Sequence, residues 1–364
     1  MKIKGLLYFV IPALLFSSCV EEEAALEPSN IDQDRISTQI DLSNETIKRI
    51  YNDYNVGLLY EYDTTKDFAY VGGTETMAQV WEAVEIPMIK SLYVDETGGM
   101  STDTVSYYQE HLDGALTFLD TTLFSCFDPE GMIASKMPYK VLLSASVYTE
   151  SQIRGLSGSV LTESDSRYGS KASGPLRSAF NDHSIVFAMD MEHIANSTDK
   201  YVKENFYAFF SRIIGMHELY NAVPAAFFEG KESYYNQEME GLFREENGYD
   251  EEDALTLIDK DWFYSKGFVD AQYFYELSSY KYLKDENNQW VKHIKPLEVA
   301  KTPEFAADEF EDVRAYLNEM IHRDASELEA FPENIKDNMR LLLDTFEGWG
   351  VNVKAINPDL EVLN

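Results

Sequence analysis

Three short, nearly unbroken apolar runs constrain this chain most: residues 56–62, 139–147 (YKVLLSASV) and 183–191 (HSIVFAMDM). Runs of that length between polar stretches predict strands, and the middle one predicts a strand buried on both faces. Helical patterns surround them. Ile47, Ile50, Tyr51 and Tyr54 recur at i, i+3, i+4 and i+7 behind a cap from Asp41 or Ser43, which predicts a helix leading into the first strand. A second helix is expected over 103–126, with Tyr108, Leu112, Ala115 and Leu119 on one face, and the longest over 201–223, ending before Pro224. Beyond Ala225 the patterns are mostly helical. They close with a helix over 333–347 whose Ile335, Met339, Leu342, Leu343 and Phe346 share a face and which Gly348 stops. The Ser- and Gly-rich stretch 148–182 has little periodicity and reads as a long loop. Strands first and helices later predict an α+β fold rather than a regularly alternating parallel sheet.

The N-terminus has its own chemistry. Lys2 and Lys4 precede an apolar core over 6–16, and the small Ser17 and Ser18 lie just before Cys19. Such a segment reads as a signal peptide, too short to span a membrane comfortably. Leu15-Phe16-Ser17-Ser18-Cys19 resembles a lipobox, so residues 1–18 are expected to be removed and Cys19 acylated. The alternative is an ordinary secretory signal with an incidental cysteine. Residues 19–34 are polar, contain Pro28 and read as an acidic tether. Glu21-Glu22-Glu23 resembles the export tag of Gram-negative lipoproteins placed on the outer face of the outer membrane, although a plain solvated tether would also be acidic.

Without Lys2 and Lys4, 28 basic residues face 64 acidic ones, a formal charge of −36. That surface repels phosphate backbones and anionic headgroups, which argues against nucleic-acid binding and electrostatic membrane docking. The expected membrane partner is the bilayer, through acyl chains on Cys19. Each buried CH₂ contributes only ~0.8 kcal/mol, so more than one chain is needed. The other cysteine, Cys126, lies in an apolar run and is expected to be a buried, inert thiol. With no internal disulfide, the 24 Tyr and 21 Phe must help to build a large core. Residues 35–364 are expected to form one domain, an α/β part over 35–224 and a helical part over 225–364.

One constellation suggests chemistry: Gly215-Met216-His217-Glu218-Leu219-Tyr220-Asn221. In a zincin, two histidines at i and i+4 on one helix face hold Zn²⁺, and the intervening glutamate acts as base toward the metal-bound water. Here His217 and Glu218 keep that spacing, but Asn221 replaces the second histidine. The bland reading is that Phe206, Phe210, Ile213, His217 and Asn221 form one continuous stripe, with His217 a satisfied core residue. Among the other histidines, His111 beside Glu110 and Asp113 reads as a solvated surface residue.

Taken in order, several segments resemble the zinc-binding metallopeptidase lipoproteins found alongside outer-membrane glycan-uptake systems. The resemblance covers most of 45–355. It includes Ile50-Tyr51-Asn52-Asp53-Tyr54-Asn55-Val56, the strands over 139–147 and 183–191, and the helix carrying His217-Glu218. Trp262, Lys266-Gly267-Phe268-Val269, Asp308-Glu309-Phe310-Glu311-Asp312-Val313 with Tyr316-Leu317, and the stretch 339–353 complete it. The resemblance implies a zincin-like fold, with a small mixed sheet packed on a long central helix. It also implies Glu218 as catalytic base, and a metal set drawn from His217, Asn221 and either Glu311 or Asp312. Glu311 and Asp312 read equally well as a solvated acidic face beside Arg314. Zinc or no metal at all therefore stays open, as does the choice between a metallopeptidase and a non-catalytic glycan- or peptide-binding accessory to outer-membrane uptake proteins.

Overall fold

The computed structural model describes residues 36–68, 84–149, 161–162, 178–180, 184–195, 199–248, 260–269, 280–284, 290–294 and 305–364. Residues 1–18, expected to be a signal, and Cys19 and Glu21–Glu23 lie outside the described residues.

The architecture is mixed α+β. Helix α1 (Glu45–Tyr54) leads into strand β1 (Gly57–Leu59). Its cap is Asn44, whose side chain accepts from the backbone N–H groups of Thr46 and Ile47. Asp41 and Ser43, the sequence-based expectations, are bonded to each other instead, and Asp41 also accepts from the Tyr60 hydroxyl. Helix α2 (Thr102–Thr122) precedes β2 (Lys140–Ser144), and the short β3 (Leu161–Thr162) and β4 (Ser178–Phe180) precede β5 (Ser184–Ala188). These strands form one sheet in the order β1-β2-β5-β4-β3. The first three run parallel, with Leu58 opposite Val141 and Leu142 opposite Val186. Strands β4 and β3 add antiparallel at one side. The parallel strands are buried along almost their whole length, which is why they read as unbroken apolar runs. The two short strands fall inside the stretch expected to be a loop.

Helix α3 (Asp199–Met216) lies against this sheet. Phe209 packs on Phe187 of β5 with ring centroids 6.1 Å apart, and the Tyr201 hydroxyl bonds the Ala188 carbonyl. At 18 residues α3 is shorter than the 21-residue α2, and it stops well before Pro224. Glu218 then takes a left-handed conformation with φ 50°, and Leu219–Ala222 forms a separate 3-10 turn. Gly215 is required near this end. A Cβ there would lie 2.8 Å from the Phe310 ring of the acidic helix.

The C-terminal portion contributes α4 (Met239–Asn247), α5 (Lys260–Ser265), α6 (Glu309–His322) and α7 (Glu333–Gly348). A hairpin of β6 (Tyr280–Lys284) and β7 (Trp290–Ile294) interrupts this mostly helical part. One hydrophobic core runs from Ile36 to Leu363 and joins both portions. Phe210 of α3 meets Phe346 of α7 edge-on at 5.1 Å. The buried Asn357 accepts from Lys203 on α3 at 3.4 Å and donates to the carbonyls of Met320 and Arg323 at 2.7 and 2.8 Å. Among the described residues, no helix is long and apolar enough to cross a membrane.

Candidate functional site

The zincin-type expectation places His217 and Asn221 on one helical face, and the backbone does not do so. α3 ends at Met216 with the His217 N–H still bonded to the Ile213 carbonyl at 3.2 Å, and the left-handed Glu218 then turns Asn221 away from that face. Phe206, Phe210 and Ile213 are buried as the stripe requires, but His217, Glu218 and Asn221 are exposed. His217 lies near Lys136. Partial burial and the Lys136 charge hold its imidazole below the usual range.

The two acidic candidates on α6 are committed elsewhere. Glu311 pairs with Arg314 at 3.3 Å. Asp312 is sealed from solvent, and its Oδ2 accepts from Lys231 Nζ at 2.9 Å and from the Tyr235 hydroxyl at 3.0 Å. Burial pushes the Asp312 carboxyl up to about 6, against the lowering effect of the Lys231 charge and both hydrogen bonds. The same burial pulls the Lys231 ammonium down and lifts the Tyr235 phenol. Lys231 Nζ also lies 3.8 Å from the Phe227 ring centre and 4.6 Å from that of Tyr316, an aromatic cage that suits a desolvated cation. Among the described residues, no three His, Cys, Asp or Glu side chains come together as a metal site. Catalytic zinc takes three protein ligands, and the residues proposed from sequence do not fit one.

What the fold builds instead is a cleft of about 400 Å³ above Lys231. Glu229, Tyr234, Lys266, Asn334 and Asn338 line it, and the Lys231 stem contributes to its floor. Its volume lies within the range of small-ligand sites, about 300–1,000 Å³. Gly267, with φ 83°, lets the floor close, because a Cβ there would meet Lys231 Cε at 2.9 Å. The Tyr316 hydroxyl donates to the Gly267 carbonyl at 2.6 Å and accepts from Asn338 Nδ2 at 3.0 Å. Lys266 bonds both Glu246 oxygens at 2.9 and 2.7 Å, and Trp262 Nε1 donates to Glu246 at 2.7 Å. The Lys266 and Trp262 hydrogen bonds hold the Glu246 carboxyl below its ordinary range.

Sequence reasoning did not single out Lys231, Tyr235, Asn334 or Asn338. A lone lysine in Gly230-Lys231-Glu232 reads as surface, and nothing local reports a partner 81 residues away. His111 also differs from expectation, because it is buried on the inner face of α2. Its Nε2 donates to the Met189 carbonyl, so Nδ1 must accept from the Tyr93 hydroxyl at 2.9 Å. Burial depresses its pKa and favours this neutral tautomer. Cys126 is a buried free thiol, pushed up to about 11 by burial. His183 lies outside the described residues.

No family model, curated protein or solved structure matches this chain.

Proposed function

We propose that this chain is a lipid-anchored protein of the outer-membrane surface, a non-catalytic binding accessory of a nutrient-uptake system that takes a glycan or peptide in the cleft over Lys231. The lipobox-like ending at Cys19 and the acidic Glu21-Glu22-Glu23 support the anchoring and the location. The ordered resemblance to lipoproteins of glycan-uptake loci supports the setting and a zincin-derived scaffold. One observation carries the choice of binding over catalysis. Asp312, a third-ligand candidate, is spent on Lys231 and Tyr235, while the left-handed Glu218 turns Asn221 off the end of α3, past His217.

The competing reading, a zinc metallopeptidase using Glu218 as base, rests on the His217-Glu218 pair and on the packing of α6 beside the end of α3 at Gly215 and Phe310. Elemental analysis of the purified full chain separates the two. Zinc well below one per chain, unchanged by His217→Ala, is expected for the accessory. Stoichiometric zinc lost in His217→Ala would replace it with the peptidase.

A further inference from the structure

The hydrogen bonds beneath the cleft fix the orientation of two of its amides. Asn334 Nδ2 donates to the Tyr264 carbonyl at 2.8 Å, a group that can only accept. Asn338 Nδ2 faces the Tyr316 hydroxyl, whose single proton is already given to the Gly267 carbonyl. Both nitrogens are therefore engaged with the protein, neither Oδ1 accepts a hydrogen bond among the described residues, and both residues line the cleft. Asn334 and Asn338 are one helical turn apart on α7, which places their side chains side by side on one face. The exposed Glu229 adds a carboxylate at the rim, and the half-buried Tyr234 ring is taken up by Phe305 at 5.2 Å and by Lys266 Nζ 5.2 Å from its centre. The cationic groups nearby are already matched, Lys231 by Asp312 and Lys266 by Glu246.

The cleft thus offers a row of acceptors, with its cations neutralised. A ligand complementary to it carries several donors spread over a rigid frame. A lysine ammonium concentrates its three donors at one point and cannot span acceptors a helical turn apart. A phosphate or sulfate brings acceptors to acceptors. A sugar ring distributes hydroxyl donors around its edge.

We propose that this cleft recognises the hydroxyls of a neutral glycan through the amide oxygens of Asn334 and Asn338 and the carboxylate of Glu229. The assignment rests on the accessory reading above and narrows its ligand to one chemical class.

The test uses the full chain in detergent on an array of neutral, sulfated and uronate-containing glycans, with a Lys- and Arg-containing peptide in parallel and hits titrated by calorimetry. A neutral glycan should bind. Glu229→Gln keeps an acceptor oxygen and should hold the affinity close to wild type, while Glu229→Lys should weaken it by about tenfold. Glu229 is exposed, so neither change threatens the fold. Asn334→Ala should weaken binding by about three- to tenfold. Absence of any neutral-glycan binding, or binding equal in wild type, Glu229→Lys and Asn334→Ala, would overturn the assignment. Peptide binding lost in both Glu229 variants would also overturn it, while leaving the accessory reading in place. Stoichiometric zinc lost in His217→Ala, with no ligand bound, would remove both.

Discussion

Lys231 Nζ sits 2.9 Å from Asp312 Oδ2 and 3.8 Å from the centre of the Phe227 ring, so one ammonium answers a carboxylate on one side and an aromatic face on another. Both side chains are almost wholly removed from water, at 2% and 1% exposure. Desolvating two charges is expensive, and their attraction offsets that cost only while both are present. Among the described residues Asp312 Oδ1 has no hydrogen-bond partner, so the carboxylate depends on what reaches Oδ2.

Removing one member should therefore cost far more than removing both. Lys231→Met is expected to destabilise the fold by about 3–5 kcal/mol in urea denaturation. The double variant Lys231→Met with Asp312→Leu should recover most of that loss. Equal losses in the single and double variants would show that shape, not charge, matters here.

The same carboxyl predicts a pH dependence. It keeps its proton up to about pH 6 in the folded chain, while an unfolded Asp releases it near 3.8. Between those values the native state binds more protons, so this group's contribution to stability falls as pH rises through the window. Its size is on the order of 1–3 kcal/mol. Stability profiles of wild type and Asp312→Asn should diverge between pH 4 and 6 and run parallel above it. Parallel profiles throughout would mean that Asp312 titrates as an ordinary carboxylate.

Gly267 faces two independent objections to any side chain: φ of 83° and the Lys231 stem 2.9 Å from where a Cβ would sit. Gly267→Ala is expected to cost about 1–3 kcal/mol in chemical denaturation. A neutral substitution would mean that the Lys231 stem yields freely.

Anchoring is expected to depend on Cys19. Cys19→Ala should release the protein from the membrane fraction, and unchanged fractionation would defeat the lipoprotein reading. Replacing Glu21, Glu22 and Glu23 by Ala should shield the protein from protease added to intact cells if these residues direct surface display.

The sheet was legible where burial is two-sided. Leu58, Leu142 and Val186 sit in runs apolar at nearly every position because parallel strands are covered on both faces. Ser178–Phe180 and Leu161–Thr162 were not legible, since two or three residues are too short for a period to appear. The end of α3 was misread because Pro224 is the evident breaker, whereas the helix stops eight residues earlier at Met216. Gly215, placed where Phe310 leaves no room for a Cβ, was the local hint. Asp312 reads from sequence as a metal ligand or a solvated acid, and the structure buries it against Lys231 and Tyr235, which lie 81 and 77 residues away and which only the tertiary fold brings to it.

Asn357 ties the end of the described chain to two helices far from it in sequence. Its one side chain holds α3 through Lys203 and α6 through Met320 and Arg323, and Leu360 and Leu363 follow it into the core begun by Ile36 and Ile47. Such closure spans more than 300 residues of sequence, and contacts of that separation form slowly because the intervening chain must first be gathered. The core is complete only with residues 353–363 in place, because Val353, Ile356, Leu360 and Leu363 are buried in it. A chain threaded through a membrane from its N-terminus would thus stay open until nearly all of it had crossed.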